Sequence, residues 1–66
     1  MPPRIRELIA ELERNGFTNR GGKGSHRNFN HPKRKRVLTV SGKLSEHAEK
    51  YQIKDVRNAI KEVIGK

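Results

Sequence analysis

His26 is the residue of this chain best placed to do chemistry. It closes a loop, Gly21-Gly22-Lys23-Gly24-Ser25-His26, that runs directly into Arg27-Asn28-Phe29-Asn30-His31-Pro32. Glycines adopt positive φ at little cost, and without a Cβ they let a phosphate approach backbone N–H groups closely. The loop reads as a phosphate cradle. An imidazole at its end can exchange a proton near neutral pH, which makes His26 a candidate general base beside a bound phosphodiester. The plainer alternative is an ordinary surface histidine, and residue type and spacing alone leave both open.

Cations surround that loop. Arg20, Lys23 and Arg27 flank it, and Lys33-Arg34-Lys35-Arg36 forms a second basic cluster after Pro32. In a β-turn on the side of the glycine loop this cluster would clamp phosphates; it could equally be a solvated turn or a nuclear-localisation-like patch. The candidate phosphate-binding set is Arg20, Lys23, Gly24, Ser25, Arg27, Lys33, Arg34, Lys35 and Arg36. His31, before a proline, is expected to be structural or at a rim, and His47 lies in a weakly patterned segment. With no cysteine in the chain and no carboxylate spaced to complete tetrahedral ligation, the histidines do not make a zinc site. No metal and no cofactor is expected. Phe17 and Phe29 are wanted for a core, so a base-stacking platform is not supported, and recognition should be of backbone and shape more than of base edges.

The charge distribution supports a polyanionic partner. The net charge is +9, from 16 Lys and Arg against 7 Asp and Glu. Between Arg14 and Ser45 there are 9 cations and no acid, so the remaining 7 cations and all 7 acids balance in the flanks. Nucleic acid is favoured over an acidic protein or a membrane, because the basic window also holds the glycine loop and His26. At 66 residues the chain reads as one domain spanning 1–66, and a chain this short hides only about 60% of its unfolded surface on folding. The absence of cysteine fits a reducing, intracellular setting. There is no apolar run near the roughly 20 residues of a membrane span and no signal-peptide core. A soluble, cytoplasmic protein is expected.

The elements that must position His26 follow from periodicity. Pro2-Pro3 suits a first helical turn, and Ile5, Leu8, Ile9 and Leu12 then mark the apolar stripe of a helix ending at Asn15-Gly16. Residues 17–20 form a possible first strand with Phe17 inward. Arg27–His31 alternates, with Phe29 toward the core and His26, Asn28 and Asn30 on the opposite face. Lys33-Arg34-Lys35 is expected to turn, and Arg36–Val40 to be the third strand, Leu38 and Val40 joining Phe29 on the inner face. Lys43–Lys50 reads as a connection with a helical turn from Ser45 to Ala48. Ile53, Val56, Ile60, Val63 and Ile64 then recur at helical spacing, with Gly65 as a stop. The order predicts an α+β fold with two helices on one face of a three-stranded antiparallel sheet, whose other face is free for a ligand.

These residues together resemble the HicA toxins, small messenger-RNA-cleaving proteins of bacterial toxin–antitoxin pairs. The resemblance is carried by Gly16-Phe17, Arg20, Gly24-Ser25-His26, Phe29 and His31-Pro32. It covers the chain well to about Val40, and by pattern only beyond. It implies a double-stranded-RNA-binding-domain-like α-β-β-β-α fold, His26 as the catalytic histidine of a metal-independent endoribonuclease, and a HicB-like antitoxin as partner. Family members usually continue the third strand into Val-Pro-x-His; here the run is Val40-Ser41-Gly42-Lys43. A non-catalytic RNA-binding module is the alternative, and it leaves the lone histidine at the end of the glycine loop unexplained.

Overall fold

The computed structural model describes residues 1–65. The elements are α1 (Ile5–Arg14), β1 (Thr18–Gly21), β2 (Arg27–His31), β3 (Arg34–Val40) and α2 (Lys50–Ile64). The strands form one antiparallel sheet in the order β1-β2-β3. This is the α-β-β-β-α order expected from the sequence. Period-two alternation sends Phe29, Leu38 and Val40 to one side of the sheet, where they cluster with Ile5, Leu8 and Leu12 of α1 and Val56, Ala59, Ile60 and Val63 of α2. Both helices therefore cover the same face, and the other face is open.

Local chemistry fixes where the helices begin and end. The Glu7 carboxylate accepts the Arg4 N–H at 2.8 Å at the start of α1, as in a capping box. At its end, Gly16 N–H bonds the Glu13 carbonyl and Phe17 N–H the Leu12 carbonyl, both at 3.1 Å, the paired bonds of a Schellman motif. At the start of α2, the Gln52 side-chain oxygen accepts the Glu49 N–H at 2.8 Å.

Several boundaries differ from those expected. Pro2 and Pro3 precede α1 instead of forming its first turn, because residues 3–5 run beside 46–48: Arg4 bridges His47, and Ala48 N–H and Ile5 N–H reach the Pro3 and Glu46 carbonyls at 2.8 Å. That pairing also replaces the helical turn expected at Ser45–Ala48. In its place Glu46 N–H bonds the Lys43 carbonyl at 3.0 Å and closes a turn. Phe17 is buried as expected, but β1 starts one residue later because the Phe17 N–H is used in closing α1. The turn between β2 and β3 is Pro32-Lys33, with His31 paired to Arg34, so Arg34 and Lys35 belong to the strand. The second helix starts at Lys50, three residues before its first apolar position, Ile53. Among the described residues no helix is long and apolar enough to cross a membrane.

Candidate active site

The β2–β3 register builds the site. Arg27 pairs with Val40, Asn28 with Thr39 and Phe29 with Leu38, so one further step sets His26 opposite Ser41 on the open face. The two side chains meet there: His26 Nδ1 lies 2.6 Å from Ser41 Oγ. On the next rung, Thr39 Oγ1 donates to Asn28 Oδ1 at 2.8 Å. His26 is exposed, and its Nε2 bonds no described residue. In the tautomer whose Nδ1–H donates to Ser41, the Nε2 lone pair faces solvent on a ring held in place from behind. That is the arrangement a general base requires.

The glycine loop is held tightly against this histidine. His26 N–H bonds the Lys23 carbonyl at 3.0 Å, and Gly24, at φ +58°, takes the position of that turn where a left-handed residue is needed, as in type II′. A Cβ on Gly22 would lie 2.2 Å from the His26 carbonyl oxygen, so no side chain fits there without moving the histidine's own backbone. The Arg27 guanidinium straps the assembly, donating to the Ser25 carbonyl at 3.0 Å and the Gly42 carbonyl at 2.8 Å. The N–H groups of Lys23, Gly24 and Ser25 bond no described residue, which leaves them available to an anion. Gly22→Ala is expected to cost about 1–3 kcal/mol through this overlap. A lowered thermal midpoint would register it; an unchanged one would mean that the loop can retreat freely from His26.

The second basic cluster is elsewhere. Sequence reasoning set Lys33–Arg36 on the side of the glycine loop, but the loop enters β2 at Arg27 and the turn leaves it at His31, roughly 13 Å apart at strand rise. The cluster is also split between faces. Arg34 and Arg36 share the inner parity of Leu38, and both pair with Glu62 of α2; the Arg34 side chain is only 12% exposed. Lys35 stands on the open face with Val37 and Thr39, and Lys33 is exposed in the turn. Arg20 is exposed at the bulge between Asn19 and Gly21. Arg20, Lys23, Lys33 and Lys35 are thus presented to solvent, whereas Arg27 and Arg34 hold the fold.

The other histidines are structural. His31 Nδ1 accepts the Lys33 N–H at 3.0 Å, so Nε2 carries the proton and donates to the Asn15 carbonyl, also at 3.0 Å. Its ring packs 4.9 Å from that of Phe17. His47 Nδ1 donates to the Pro2 carbonyl at 2.9 Å. Sequence reasoning missed two residues of the site. Ser41 could have been found: with Phe29 and Leu38 paired on the inner face, strand parity sets Ser41 opposite His26 outside. Gln52, the buried polar side chain that donates to the Ser41 carbonyl at 2.8 Å, left no signal beyond its place in the first turn of α2. Among the described residues, no three of His, Cys, Asp and Glu group as a metal site.

An open sheet face with a shallow depression beside Arg20 and Lys35 and an exposed histidine at the end of a glycine loop define the class: a small α+β protein with its candidate site on the uncovered side of the sheet. The sequence model of the HicA toxin of bacterial toxin–antitoxin pairs matches residues 5–63, and the chain belongs to that family. No curated protein matches it. As a toxin of a toxin–antitoxin pair, it implies an antitoxin partner.

Proposed function

We propose that this toxin is an endoribonuclease that cleaves messenger RNA in the cytoplasm and is neutralised by a HicB-type antitoxin covering the open face. The observation that carries this reading is the His26–Ser41 contact at 2.6 Å, which directs Nε2 outward beside the unoccupied loop N–H groups. Nε2 accepts the proton of a ribose 2′-OH. The oxygen attacks the adjacent phosphorus, the bond from phosphorus to the 5′ oxygen breaks, and that oxygen takes a proton from solvent. The products are a 2′,3′-cyclic phosphate and a 5′-hydroxyl. Lys23 and the loop N–H groups stabilise the charge that develops on the phosphoryl oxygens. Every protein group in this step belongs to the chain itself, with no metal required.

Affinity comes from the exposed cations, because phosphate contacts position the strand without reading it. The test pairs an RNA with a DNA of the same sequence, in the presence of a chelator. RNA should be cut to cyclic-phosphate ends, and DNA, lacking the 2′-OH, should bind uncut. Replacing Arg20, Lys23 and Lys35 together by alanine should flatten the log–log salt dependence of binding by roughly 2, at about 0.7 per lost single-strand phosphate contact. Binding without cleavage would leave a non-catalytic RNA-binding module, and an unchanged slope would mean that the RNA lies elsewhere.

A further inference from the structure

We propose that the depression between the end of β3 and the first turn of α2 is a subsite for one nucleobase, stacked on the ring of Tyr51. The proposal rests on the RNA-cleaving reading above and extends it past the scissile phosphate. Of the chain's three aromatic rings, Phe17 and Phe29 are buried and Tyr51 is 64% exposed. Tyr51 lines one depression together with Ser41 and Gly42, and Ser41 is the residue that holds His26. Ser41 thus borders both the depression and the His26 site on the open face.

Two further features fit a base better than any other part of RNA. The wall is fixed, because Gln52, next to Tyr51, is buried and bonds both the Ser41 carbonyl and the Glu49 N–H at 2.8 Å. The backbone that carries Tyr51 is thereby anchored against the end of β3. The depression is also lined by Glu46 and Glu49, whose carboxylates repel a phosphate and leave the uncharged base as the part that fits. Stacking uses the π-face that every base has, so the subsite adds affinity and not sequence choice.

Tyr51 is the only tyrosine and there is no tryptophan, so its ring protons form one readily assigned NMR signal set. Titration with an RNA oligonucleotide bearing 2′-O-methyl riboses, which cannot be cut by 2′-OH attack, should move those signals upfield as a base stacks. Tyr51→Phe should bind like the wild type. Tyr51→Ala should weaken binding about 5- to 150-fold, the worth of one base–aromatic stack. With unmodified RNA, Tyr51→Ala should raise KM and leave kcat alone. Ring signals that stay still while the Ser25 and Ser41 amides respond, or wild-type affinity in Tyr51→Ala, would overturn the subsite and leave cleavage at His26 standing. A wild type that shifts its tyrosine signals but cuts no RNA would keep the subsite and remove the cleavage reading.

Discussion

His26→Ala is expected to give a folded protein that still binds RNA and cleaves it about 10² to 10⁴ times more slowly, the usual worth of a positioned acid–base group. The fold should survive because His26 is exposed and contributes nothing to the core cluster. Binding should survive because the exposed cations and the loop N–H groups are untouched. Ser41→Ala makes the more discriminating companion. It leaves the imidazole in place and removes only the oxygen that orients it, so its cleavage rate should fall between those of the wild type and His26→Ala. In a bacterial host without antitoxin, the wild type should arrest growth and His26→Ala should not. Cleavage by His26→Ala at the wild-type rate would remove His26 from the chemistry. If Ser41→Ala were as slow as His26→Ala, the hydroxyl would be doing more than holding the ring.

Helix existence, strand order and the inner face were legible in the sequence because each is written in short-range periodicity. Ile5, Leu8 and Leu12 repeat on a helical stripe, Phe29 sits in an alternating run, and all four are buried. His26 stood out for a local reason as well, being the last residue of a glycine loop. What could not be read depends on pairings between distant segments. Pro2 and Pro3 look like a helix start until residues 46–48 are seen to run beside them. The basic run from Lys33 to Arg36 looks like one clamp, yet a two-residue turn puts Arg34 into the strand, and parity then sends Arg34 and Arg36 to the helix side beside Glu62, where Arg34 is nearly buried and Arg36 stays exposed. A cluster that is continuous in sequence is split by any strand, since alternate side chains leave by opposite faces. Gln52 was hidden for the same reason: its value to the site lies in a bond to Ser41, eleven residues away.

Phe29→Ala should have the largest effect on stability of any single truncation, and it tests the register on which the whole site depends. Phe29 is fully buried at the centre of the middle strand, paired with Asn19 on one side and Leu38 on the other. Truncating a buried phenylalanine costs about 3–5 kcal/mol, through lost apolar transfer and the cavity left behind. At the usual 0.05–0.15 kcal/mol per residue, a chain of this length has a total stability of only about 3–10 kcal/mol. The variant should therefore be largely unfolded, or close to it, at room temperature, with urea or thermal unfolding as the measurement. Leu38→Ala, also in the core, should cost about 2–5 kcal/mol. Val37→Ala, 53% exposed on the open face, should barely shift the midpoint. The contrast between these adjacent positions is the informative part, because a slip of one residue would exchange their faces. The same slip would carry His26 and Ser41 from the open face to the helix side. A Val37→Ala cost as large as that of Leu38→Ala would thus overturn the register and, with it, the placement of His26 on the open side of the sheet.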